Sequence, residues 1–117
     1  MSVRFQQSVP VEERKRETEK IRQQYSNKLP IFLEKAKNSR LPDIQKNKCL
    51  APIDHTVSGF IGGLRKKLKL PKTEGFFVFV NGSELVTGDT LMSELYERKK
   101  SEDGFLYMVY SEQEILG

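Results

Sequence analysis

The chain is poor in the residues that most small-protein chemistry requires: one cysteine and one histidine in 117 residues, and no long apolar run. A lone thiol, Cys49, closes no internal disulfide, which excludes stapled secreted scaffolds and suits a reducing, cytosolic setting. With His55 alone and no cysteine pair, there is no zinc set. No segment is apolar for the roughly 20 residues a membrane helix needs, and no start-proximal run reads as a signal peptide. Gly59, Gly62 and Gly63 lack both the spacing and the preceding strand of a phosphate-cradling loop, so no nucleotide cofactor is called for. Cys49 and His55 invite a nucleophile-and-base reading, but no third orienting group or oxyanion motif accompanies them. The chain reads as a protein that is not an enzyme and uses no cofactor. Repeats and low-complexity tracts are also missing.

What is present is charge of both signs. Lys and Arg number 20 against 16 Asp and Glu, a net +4. The two signs are interleaved along most of the chain, which points to acidic partners or an anionic surface without making a polycation. Nucleic acid is an unfit partner, because the basic residues are not unopposed and no aromatics run between them. A chain of 117 residues buries one modest core, so a single structural domain is expected.

Hydrophobic period then orders the elements. Phe105–Tyr110 is apolar on both alternations, the pattern of a central strand covered on both faces. Ahead of it, Met1–Val9 reads as a short helical or irregular arm ending at Pro10. Val11–Tyr25 is an unbroken run of helix formers with Glu12 and Glu13 at the positive end of the dipole. Lys28–Glu34 and Lys46–Pro52 alternate as two strands joined by a loop, the second at a sheet margin. Asp54 or Thr56 caps a helix carrying Val57, Phe60, Ile61, Leu64 and Leu68, with glycines inside it whose space something should want. Gly75–Val80 is a buried strand, and Asn81-Gly82 a tight turn. Glu84–Val86 reads as a short strand, and Thr87–Asp89 is expected to cap a short helix carrying Leu91, Met92, Leu95 and Tyr96.

A hairpin, a helix, a strand, a short helix and a strand make a ubiquitin-like β-grasp. The expected class is α+β, with a mixed four-stranded sheet and two additional N-terminal helices. The divisions are a helical extension at 1–25 packed on the core, the ubiquitin-like body at 26–110 and a flexible tail at 111–117. Several separated stretches, among them KLPIFLEKA, LRKKLKLP, FVFVN, LMSELYE and DGFLYMVYS, resemble the autophagy-related ubiquitin-like modifiers. That group contains the GABA-A-receptor-associated protein and the microtubule-associated protein light chain. The resemblance covers essentially the whole chain.

The resemblance implies a modifier whose Gly117 is activated as an adenylate, carried as a thioester by activating and conjugating cysteine enzymes, and joined to phosphatidylethanolamine. A processing and delipidating cysteine protease is a further implied partner, and Leu116 departs from the aromatic residue common there. Ending at Gly117, the sequence is read as either made ready for activation or already trimmed. Membrane attachment would come from the lipid, and the protein would divide between cytoplasm and autophagosomal membrane. Cargo receptors would dock aromatic-x-x-aliphatic motifs by adding a strand to a sheet edge. The aromatic pocket carried over comprises Glu17, Ile21, Pro30, Phe32, Lys48, Leu50 and Phe105. The aliphatic pocket comprises Cys49, Ala51, Pro52, Phe60, Gly63, Leu64 and Lys67. Lys28, Lys46 and Lys48 would meet acids upstream of the motif. Cys49, Ala51 and Gly63 are smaller than the family's usual residues, so a wider aliphatic pocket is expected. The alternative is an unconjugated soluble adaptor in trafficking or microtubule-linked transport, with tubulin among its partners.

Overall fold

In the computed structural model, residues 3–114 are described, with side chains from Phe5 onward. The elements are α1 (Val3–Ser8), α2 (Val11–Gln24), β1 (Lys28–Lys35), β2 (Lys48–Pro52), α3 (Val57–Lys67), β3 (Phe77–Val80), β4 (Glu84–Val86), α4 (Met92–Lys99) and β5 (Leu106–Ser111). Every residue of β5 is buried, and the strand lies parallel to β1 on one side and antiparallel to β3 on the other. That central place explains why neither of its alternating faces is polar.

The sheet order is β2-β1-β5-β3-β4, so the mixed sheet has five strands and not the four expected. The fifth is Glu84–Val86, which pairs antiparallel with β3, Val80 opposite Glu84 and Val78 opposite Val86. Three residues are too few to display an alternation; the preceding turn sets the register. Asn81 and Gly82 take φ of 49° and 91°, and Ser83 N donates to Val80 O at 3.3 Å.

One face of the sheet packs on α3 and α4. Ile31, Leu33, Val78, Leu106 and Met108 meet Val57, Leu64, Met92 and Leu95 in a single apolar cluster, and each such side chain removed from water is worth about 1.5–3 kcal/mol. Thr56, not Asp54, caps α3: its hydroxyl accepts from Gly59 N at 3.0 Å. The cap expected for α4 from Thr87–Asp89 is not used. Leu91 enters that helix extended and bridged to Thr56, while Met92 N donates to His55 O and Val57 N to Thr90 O. Main-chain bonds between the two helix starts thus replace a side-chain cap.

The glycines of α3 correct another expectation. A Cβ built on Gly62 or Gly63 would meet nothing within 4 Å, so no neighbour claims the space. Gly62→Ala is therefore expected to raise stability by about 0.5–1 kcal/mol, seen as a higher midpoint in thermal denaturation. Unchanged or lowered stability would mean that the helix needs its glycine for another reason.

The other face packs on α2. Thr18 is buried, and its hydroxyl donates to Asp103 O at 2.6 Å. Directly beneath, Gly104 has φ of 90°, and an added Cβ would stand 2.4 Å from Thr18 Oγ1. Only glycine allows both that backbone angle and that approach. Arg14 of α2 pairs with Asp103, whose carboxylate also accepts from Phe105 N and the Tyr107 hydroxyl.

At the far end of β5, Ser111 belongs to the strand, and Glu112 is tied to the body. Its carboxylate accepts from the Ser39 hydroxyl at 2.7 Å and from Arg40 N at 3.2 Å. Those bonds, the Ser39 one foremost, hold the Glu112 carboxyl down to about 2. Arg40 in turn reaches Glu74 at 2.9 Å. The tail expected from 111 is thus anchored through Glu112.

Candidate functional site

Strand β2 pairs with β1 alone, so among the described residues its outer side has no strand partner. Ile31 faces Cys49 and Leu29 faces Ala51, and the ladder continues at both ends through Leu33 N to Asn47 O (2.8 Å) and Ile53 N to Asn27 O (3.1 Å). In an antiparallel ladder the bonded pairs fall at every second position. Cys49 and Ala51 therefore use their main-chain groups on β1, while those of Lys48 and Leu50 point outward. Pro52, lacking an N–H, offers only its carbonyl.

The side chains of β2 divide by the same alternation, but across the sheet. Lys48 and Leu50 share a side with their cross-strand partners Phe32 and Pro30 and with α2. Glu17 and Ile21 lie one turn apart on that helix, and the Glu17 carboxylate holds Lys48 Nζ at 2.9 Å. Phe105 meets the Phe32 ring edge-on at 6.2 Å. Of the seven residues assigned to the aromatic pocket, Lys48 and Leu50 stand on the margin strand, Leu50 38 % exposed, whereas Pro30, Phe32 and Phe105 are buried.

Cys49 and Ala51 turn the other way, toward Phe60 and Leu64 of α3, all within or packed against the main apolar cluster. Gly63 and Lys67 stand exposed on the same helix, and a Cβ at Gly63 would meet nothing within 4 Å. Pro52, half-buried, ends β2 on the Leu50 side of the alternation. Burial pushes the Cys49 thiol up to about 11, against the pull of nearby Lys67. It is a neutral packing group rather than a nucleophile.

The three lysines expected to meet acids do not gather at one point. Lys46 and Lys48 stand at the start of β2, whereas Lys28 lies opposite Pro52 at its other end. Gly117 and Leu116 fall outside the described residues.

One residue of this site was missed from sequence. Phe5 stacks on Phe32 with centroids 4.4 Å apart and planes at 12°, meets Phe105 edge-on at 5.6 Å, and lies under Lys48 Nζ at 4.9 Å. The available signal was a lone aromatic in a polar arm ahead of Pro10, which marks an anchor without saying to what.

With its unpaired strand edge on a grasp-shaped body behind two helices, the chain resembles known proteins. The family model described as Autophagy protein Atg8 ubiquitin like matches residues 13–117. The chain belongs to the Atg8 family. It is 39 % identical over 117 residues to Autophagy-related protein 8 of Candida glabrata, covering 100 % of this chain and 98 % of that one. To Autophagy-related protein 8B of Oryza sativa subsp. indica it is 44 % identical over 107 residues, covering 92 % and 89 %. The crystal structure of Trypanosoma brucei ATG8 superposes with a TM-score of 0.84 at 36 % identity, covering 92 % of this chain and 91 % of that one. Membership of the Atg8 family makes the chain a ubiquitin-like autophagy protein.

Proposed function

We propose that this chain is joined through Gly117 to phosphatidylethanolamine and, once on the autophagosomal membrane, collects cargo receptors on the outer edge of β2. The unpaired main chain of Lys48 and Leu50, set between an aromatic hollow and an aliphatic one, carries the peptide half of the reading. An extended motif laid on that edge would bond through its backbone and send alternate side chains to opposite sides of the sheet, as an aromatic-x-x-aliphatic spacing requires. Acids ahead of the motif would meet Lys46 and Lys48, which orients the guest more than it tightens it. Family membership supports the covalent half.

In that chemistry the Gly117 carboxylate displaces pyrophosphate from ATP to form an acyl adenylate. An enzyme thiolate displaces AMP to give a thioester, and the lipid amine displaces the thiol, leaving an amide. The enzymes supply each nucleophile. This chain supplies the carboxylate, on a residue whose missing side chain lets the backbone pass through a narrow channel.

Intact-mass measurement of the protein from cells with active autophagy tests the reading. A phosphatidylethanolamine adduct mapping to Gly117, abolished by Gly117→Ala, is expected. An unmodified Gly117 under those conditions removes conjugation and leaves a soluble adaptor in the cytoplasm.

A further inference from the structure

We propose that Phe5 is a built-in occupant of the aromatic pocket, and that a guest peptide enters by displacing it. The inference rests on the peptide-site reading above and adds the residue that regulates it. The Phe5 ring makes the contacts an incoming aromatic would make: a parallel stack on Phe32, an edge contact with Phe105 and a cation above from Lys48. With Phe5 in place, Phe105 is 0 % and Phe32 6 % exposed, so no second ring reaches either of them.

The arm that carries Phe5 is built to let go. Helix α1 has only six residues, far below the length at which a helix holds itself in water. Behind it, Arg14 Nε donates to Val9 O at 2.9 Å, which anchors the arm just ahead of Pro10. The segment before Val9 can therefore swing out while α2 stays docked. Among the described residues, what Phe5 loses on leaving is its aromatic contacts and the cation of Lys48.

A site open for only a fraction of the time binds with its intrinsic affinity reduced by that fraction. Aromatic contacts of this kind close the site enough that removing the ring should tighten binding about 5- to 30-fold. Phe5→Trp should act in the opposite sense, because a larger ring in the same place competes better.

The test is calorimetric titration of the full chain and the two variants with one acid-flanked Trp-x-x-Leu peptide, alongside the peptide carrying Ala in place of Trp. Tighter binding by Phe5→Ala, weaker binding by Phe5→Trp and loss of both differences with the Ala peptide are expected. Unchanged or weaker binding by Phe5→Ala, with wild type still binding, makes Phe5 a wall or a bystander and overturns the proposal while sparing the site. Failure of wild type and Phe5→Ala alike to bind overturns the peptide-site reading and the competitor with it.

Discussion

Replacing Asp103 with alanine is expected to cost about 3–5 kcal/mol of folding stability, measured by denaturant titration. A domain of this kind has about 5–15 kcal/mol in total, so the variant stands near the edge of folding. The reason is the number of groups that one carboxylate satisfies. Its side chain is 0 % exposed and serves the Arg14 guanidinium, 11 % exposed, together with the Tyr107 hydroxyl and the Phe105 amide. Burial and the bond to Asp103 both raise the Tyr107 phenol above its ordinary value, so it stays a proton donor at any relevant pH. Alanine would leave a cation, a hydroxyl and an amide facing an apolar wall, and the penalty comes from those orphans more than from the lost attraction.

Arg40→Ala is the control. It also breaks ion pairs, to Glu74 and Glu112, but the Arg40 side chain is 68 % exposed, and surface pairs are weakened by solvent screening. If Asp103→Ala costs no more than Arg40→Ala, water has entered the network and α2 is held by its apolar contacts alone. The double variant Arg14→Met, Asp103→Leu should recover part of the loss, since an apolar pair leaves no stranded charge.

The consequences reach the binding margin, because α2 contributes Glu17 and Ile21 to it. Loosening α2 would remove that wall and free the amide of Phe105, so Asp103→Ala should also weaken peptide binding.

How much of this was legible depended on how far each feature reaches along the chain. The two-sided apolarity of Phe105–Tyr110 and the helical recurrence of Val57, Phe60, Ile61 and Leu64 are local patterns, and they found β5 and α3 directly. Strand β2 was found at a margin by its half-covered alternation, although its first two expected residues, Lys46 and Asn47, lie in the loop. β4 reads as a short strand in the sequence but falls outside the four-strand count, because three residues have no period to show what they pair with. The α4 cap was misread because the main-chain bonds that replace it come from residues over thirty positions away, at His55 and Thr56. Within the site, the alternation of β2 separates Lys48 and Leu50 from Cys49 and Ala51 without help from any distant residue, but it sets Pro52, assigned to the aliphatic pocket, on the Leu50 side. Phe5 is different. Its partners Phe32 and Phe105 are brought to it only by the parallel pairing of β1 with β5, and no spacing in an arm of nine residues announces that. Arg14 and Asp103 were equally hidden, separated by 89 positions.

Leu50→Pro separates the two uses of β2. The ladder to β1 bonds through Cys49 and Ala51, so the N–H that proline removes at position 50 is one that points to solvent. An edge strand tolerates such a proline, and the hairpin should persist, with stability reduced by no more than about 1–2 kcal/mol for the lost apolar contact and the restricted backbone. A guest strand, by contrast, loses the N–H at the middle of its register and meets a ring in its place. Binding of the acid-flanked Trp-x-x-Leu peptide should fall at least about 30-fold, one hydrogen bond being worth roughly tenfold and the steric block the rest.

Leu50→Ala measures how much of that fall is the side chain alone, because it empties the rim of the pocket and keeps the N–H. Cys49→Pro makes the opposite cut: it removes an inward N–H, breaks the ladder at Ile31 and should unfold the margin. Binding by Leu50→Pro equal to that of Leu50→Ala would mean that the guest does not use the main chain of this edge, and the site would reduce to two unconnected hollows. A stable, peptide-binding Cys49→Pro would mean that the bonded positions are the even ones, and the assignment of every side chain to its pocket would reverse with them.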